Sequence, residues 1–178
     1  MTISNKNFFL IGMMGSWKST VGRKLAESLD MEFVDTDDAI EEIMSMKVSE
    51  IFQKFGEPRF REMESSYFVE KTKQQRFIFS TGGGIVLDEY NRNILQSNGF
   101  CFLLEASPKT LAYRIKNTAI RPLLKNTDDT ENLLTRIWNE RKEFYYSSAH
   151  HIISTEKLQP NGVVSQILEL LKETDENH

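Results

Sequence analysis

The chain has 178 residues, with 22 Lys and Arg against 26 Asp and Glu for a net charge of −4. That length suits one domain whose core needs neither disulfides nor a structural metal, and the acidic balance offers no general attraction for nucleic acid or an anionic membrane. The single Cys101 sits in the apolar run Phe-Cys-Phe-Leu-Leu and reads as a small buried hydrophobe. With no signal-peptide core and no apolar run of bilayer length, the expectation is a soluble protein of a reducing cytoplasm.

Residues 7–11 predict a buried strand that breaks into Gly12-Met-Met-Gly15-Ser16-Trp17-Lys18-Ser19-Thr20. Gly12, Lys18 and Ser19 stand where the Walker A phosphate loop requires them, and Trp17 stands at its second Gly. Such a loop turns backbone N–H groups toward phosphate oxygens, with a helix N-terminus, an ammonium and a metal-binding hydroxyl behind them. A Trp still supplies the N–H, but a left-handed backbone there costs a residue with Cβ about 1–2 kcal/mol. From Lys18 onward, Val21, Leu25, Ala26 and Leu29 give the one-sided stripe of a helix packed on a sheet.

A second strand over 32–34 ends in Asp35-Thr36-Asp37-Asp38, where Asp37 or Asp38 is expected to cap the next helix. A carboxylate at a strand's C-terminal end beside a phosphate loop is also where an α/β protein places ligand chemistry. Residues 45–76 read as helical with a break at Gly56-Glu57-Pro58, an insertion and not a second domain. Their dense charges, Arg61 and Glu64 among them, look like a solvated face when taken alone.

The strand predicted over 77–80 runs into Thr81-Gly82-Gly83-Gly84. Three ordered glycines carry a large backbone entropy cost, so backbone lining a ligand pocket is favoured over a plain turn. A helix through Tyr90, Ile94 and Leu95, a strand over 100–104 and a helix opening at Ser107-Pro108 follow. Residues 117–129, centred on Arg121-Pro122, lack periodicity and are expected to be a mobile lid. A long helix carries Leu133, Ile137, Trp138, Arg141 and Tyr145. His150 and His151 open a final strand, where packing is favoured over metal binding. A last helix through Leu171 and a frayed tail over 174–178 complete the chain. Five strands alternating with helices predict a three-layer α/β/α fold with a parallel sheet and ligands at the strand C-termini.

Taken together, the phosphate loop, the Asp35-Thr36-Asp37 strand end, Gly56-Glu57-Pro58-Arg59-Phe60-Arg61 with Glu64, the triple glycine, and Arg121-Pro122-Leu123-Leu124 followed by Arg141 and Tyr145 resemble the shikimate kinases. These are small phosphate-loop kinases of the nucleoside-monophosphate-kinase class, and the resemblance spans nearly the whole chain. It implies ATP-dependent phosphorylation of the 3-hydroxyl of shikimate, with Mg²⁺, by a monomer. On its terms Arg61 and Arg141 hold the substrate carboxylate, Asp37 binds ring hydroxyls and handles the attacking proton, and Gly83 and Gly84 meet the substrate with their backbone. The loop of Gly12, Gly15, Ser16, Trp17, Lys18, Ser19 and Thr20 takes the nucleotide phosphates. Ser19 ligates Mg²⁺ and Asp35 acts on it through water. Arg121 closes from the lid, and Arg114 and Pro160 sandwich the adenine. The implied plan is a core of 1–36, 77–116 and 130–173, with a substrate-binding segment over 37–76. Two other readings share part of the pattern: an impaired relative with a damaged nucleotide loop, and a gluconate-type kinase.

Overall fold

The computed structural model describes residues 5–116 and 127–176. Strands β1 (Asn7–Ile11), β2 (Glu32–Asp35), β3 (Phe77–Ser80), β4 (Gly99–Glu105) and β5 (His151–Ser154) form one sheet in the order β2-β3-β1-β4-β5. All four pairings are parallel, with Phe9 opposite Phe79 on one side and Cys101 on the other. The chain moves from β1 to one edge and then to the other, so the connections diverge at the C-terminal end of β1. That is the crevice in which an open α/β sheet binds its ligands.

Alternation along β1 decides the layers. Phe8 and Leu10 face α1 (Lys18–Leu29) and α7 (Pro160–Glu176), joining Val21, Leu25, Val163 and Ile167 in one buried cluster. Phe9 and Ile11 face the opposite way and pack with Phe68, Leu95, Leu111, Leu134 and Tyr145. These belong to α3 (Val48–Lys71), α4 (Glu89–Ser97), α5 (Pro108–Lys116) and α6 (Thr127–Ser148). The result is the expected three-layer α/β/α arrangement. Cys101 lies within it, fully buried, and burial pushes its thiol far above the ordinary range.

The helical insertion has its own small cluster of Ile40, Ile51 and Phe60, built by α2 (Thr36–Met44) and α3. Gly56, at φ 81 and ψ 162, breaks α3 where the sequence predicts, and Pro58 follows in the first turn of the second half, where its missing N–H costs nothing. Four expectations shift. The cap of α2 is Asp35, whose side chain accepts from the N–H groups of Asp37 and Asp38, so these two acids are left in the first turn. Residues 45–47 and 72–76 leave the helix, and α7 continues to Glu176 through most of the predicted tail. Helix α6 begins at Thr127, inside the segment expected to be lid, while 117–126 with Arg121 lie outside the described residues. Among the described residues, no helix is long and apolar enough to cross a membrane.

Candidate active site

The phosphate loop leaves β1 and returns as the first turn of α1. Its glycines are held by sterics: Gly12, at φ 137, would bring a Cβ to 2.5 Å from Leu104 O, and Gly15, at φ 82, would press one against Leu111 and Ile115. Trp17 is the N-cap of α1 and adopts the left-handed conformation of a Gly, φ 70 and ψ 18. Its carbonyl accepts from Val21 N at 2.8 Å, so the helix starts in register despite the bulky residue. The Lys18 ammonium folds back over the loop and donates to Met13 O at 2.9 Å, a position from which it can be drawn onto an incoming phosphate.

Ser19 lies one residue further along. Its hydroxyl donates to Asp35 Oδ2 at 2.6 Å and lies 3.2 Å from the Ser80 hydroxyl, so the ends of β2, β3 and the start of α1 meet in a small group of hard oxygens. A hydroxyl and a carboxylate side by side suit Mg²⁺, which takes oxygen ligands and usually keeps several of its waters. Asp35 does two jobs with separate oxygens, since Oδ1 caps α2 while Oδ2 meets Ser19.

On the other side of the crevice the triple glycine brings two helices together. Arg141 of α6 donates to Gly83 O at 3.0 Å, and the Tyr145 hydroxyl, one turn later, donates to the same oxygen at 2.6 Å. Burial pushes the Tyr145 phenol up to about 12. Arg61 donates to Glu64 Oε2 at 2.6 Å and shares its outer edge with Glu57. A Cβ on Gly84 would collide with the Arg61 guanidinium, and one on Gly82 with Glu64 Oε1 and Asp37 Oδ1. Glycine at 82 and 84 makes room for charged groups, and at Gly84 turn geometry does not require it, since its φ is −102.

Read as a solvated face, Arg61 and Glu64 are the clearest correction. Glu64 is 1% exposed. Burial raises its carboxyl to about 6, the Arg61 charge opposes this, and Asp37 adds to it. The signal was the three-residue spacing, which places both groups on one face of α3. The nucleotide side holds a second arrangement beyond sequence reading. Arg114 of α5 donates to Thr155 Oγ1 at 2.9 Å and to the Thr155 carbonyl, and its guanidinium carbon lies 3.4 Å from the centre of the Trp17 indole. Pro160 opens α7 five residues after Thr155. Lys18, Ser19, Asp35, Asp37, Arg61, Gly83, Gly84 and Arg141 thus surround the C-terminal ends of β1, β2 and β3, while Arg114 and Pro160 stand toward β4 and β5. Thr20 is exposed on the first turn of α1.

Known proteins match the chain over most of its length. The family model described as shikimate kinase matches residues 14–172. A shikimate kinase of Caldicellulosiruptor saccharolyticus is 39% identical over 165 residues, 93% of this chain and 95% of the relative. One from Sulfurihydrogenibium is 40% identical over 94% of this chain and 98% of its own length. Among solved structures, the shikimate kinase from Acinetobacter baumannii in complex with shikimate superposes with a TM-score of 0.88 at 32% identity, covering 95% of this chain and 94% of that one. The Bacteroides thetaiotaomicron shikimate kinase gives 0.87 at 29% identity, covering 94% and 99%. With a matching family model and close relatives that agree over nearly their full lengths, the chain belongs to the shikimate kinase family.

Proposed function

We propose that the chain transfers the γ-phosphoryl group of ATP to the 3-hydroxyl of shikimate, releasing ADP and shikimate 3-phosphate. The observation that carries this reading is the meeting of a phosphate loop with two guanidiniums and a carboxylate around Gly82–Gly84, in a chain whose relatives are shikimate kinases. Arg61 and Arg141 approach from different helices and hold the substrate carboxylate, each with a planar fork suited to two oxygens. Asp37 binds the ring hydroxyls and takes the 3-hydroxyl proton as its oxygen bonds to the γ-phosphorus and the bridging oxygen leaves with ADP. Lys18 moves from Met13 O to the β- and γ-phosphates, and the loop N–H groups from Gly12 to Thr20 share the charge. Ser19, with Asp35 acting through water, holds Mg²⁺, which when bound neutralises charge on the phosphates. Arg121 supplies a further cation from the lid, and Arg114 and Pro160 flank the adenine. The backbone at Trp17 supports an active enzyme over an impaired one, because it adopts the left-handed conformation that a Gly would take and α1 starts from it in register. A cytoplasmic monomer fits the same reading.

The test is ADP release coupled to a reporter, with shikimate as acceptor. Turnover that depends on shikimate and Mg²⁺ is the expected result. Silence with shikimate alongside turnover of gluconate or another polyol acid would overturn the substrate assignment.

A further inference from the structure

Trp17 carries a conformational cost that glycine would not, and its side chain is placed as though to recover it. The indole lies on the Arg114 guanidinium at 3.4 Å, the thickness of one aromatic layer, so no ring fits between them. Arg114 is fixed in plane by two hydrogen bonds to Thr155, which presents a definite face. Beyond that contact the indole packs against the apolar cluster shared by α1, α7 and the sheet, which includes Val163 and Val164 of the first turn after Pro160. The side chain therefore lies between Arg114 of α5 and this cluster, one residue before Lys18.

We propose that Trp17 is a built-in competitor for the nucleotide base: its indole occupies the Arg114 face on which the base stacks, and nucleotide binding exchanges indole for base. This rests on Arg114 flanking the adenine, as read above. The stack makes the base-accepting state a minority of the free enzyme, and apparent ATP affinity falls in proportion to that fraction. A partly buried cation–π stack corresponds to a penalty of about 3- to 30-fold. Tripolyphosphate, which fills the cradle and carries no base, escapes it.

Calorimetric titration of the full-length chain and of the Trp17→Gly and Trp17→Ala variants tests this, with ATP·Mg²⁺ and Mg²⁺-tripolyphosphate as probes. In both variants the affinity for ATP relative to tripolyphosphate is expected to rise about 3- to 30-fold over the parent. Alanine keeps the left-handed strain and removes only the indole. A gain confined to Trp17→Gly, or a gain shared equally by tripolyphosphate, would assign the effect to the backbone turn and overturn the exchange. Weaker ATP binding in both variants would make the indole a platform for the base and overturn it too. In a Trp138→Phe background Trp17 is the only tryptophan, and ATP, but not tripolyphosphate, is expected to shift its emission to the red. If the chain binds tripolyphosphate but no variant distinguishes it from ATP, the base does not reach Arg114 and the nucleotide-side reading fails, while shikimate-dependent ADP release still reports separately on the reaction.

Discussion

Arg61 and Glu64, one turn apart on α3, form a 2.6 Å ion pair whose acidic member is buried and whose basic member faces the crevice. The pair aims Arg61 at the place where Gly84 has no side chain. Glu64 Oε1 has no hydrogen-bond partner among the described residues, so the carboxylate is held by one strong contact in a poorly solvated site.

The pH dependence of stability follows from that burial. Glu64 has a folded-state value of about 6 against an ordinary 4.5, so the folded chain holds a proton that the unfolded chain has released between these limits. Its stabilising contribution is complete below 4.5 and is lost as pH rises through about 6, an effect of about 2 kcal/mol. Urea unfolding at pH 4.5, 5.5 and 6.5 is expected to show this decline superimposed on the other carboxylates. Glu64→Gln, which keeps the shape and removes the titration, is expected to flatten that component; an unchanged slope in the variant would place the proton elsewhere.

Gly84→Ala separates function from folding. The backbone at Gly84 suits any residue, and the colliding atoms are the far end of Arg61, which can swing outward. Thermal unfolding at pH 5, where Glu64 holds its proton and loses little when Arg61 moves away, is therefore expected to change little, whereas KM for shikimate at neutral pH rises by about 10-fold or more as Arg61 leaves the carboxylate site. Gly82→Ala is the contrast, because its Cβ meets two confined carboxylates, and a loss of stability of about 2 kcal/mol is expected from the displaced buried charge.

Lys18→Met and Asp37→Asn probe transition-state charge and the attacking proton. Each is expected to lower kcat by about 100-fold or more with the circular dichroism spectrum unchanged. Asp37→Asn with full kcat would remove Asp37 from the proton's path.

Tyr145→Phe removes one of two donors to Gly83 O and leaves the Arg141 contact at 3.0 Å. A cost of about 1 kcal/mol in stability is expected, since the carbonyl retains a partner. Arg141 then stays anchored to the glycine backbone and is less available to the substrate, so a rise in KM for shikimate with little change in KM for ATP is the accompanying signature.

The sequence alone determined the layered α/β architecture, because five apolar runs punctuated by helical stripes admit few other burials, and it marked the phosphate loop, Asp35, Asp37 and the triple glycine because their residue types and spacing follow from backbone sterics near the strand ends. It pointed to Asp37 or Asp38 as the helix cap where the structure uses Asp35, since all three carboxylates are within local reach and only the turn angle chooses. Nor could it distinguish Arg61 and Glu64 from a solvated face: Gly82 and Gly84, some twenty residues away in sequence, come close against a buried Glu64 and a partly covered Arg61. At Trp17 the division is sharpest. The pattern predicted the left-handed cost, but only the tertiary structure placed Arg114, nearly a hundred residues later, with its guanidinium carbon 3.4 Å from the indole centre.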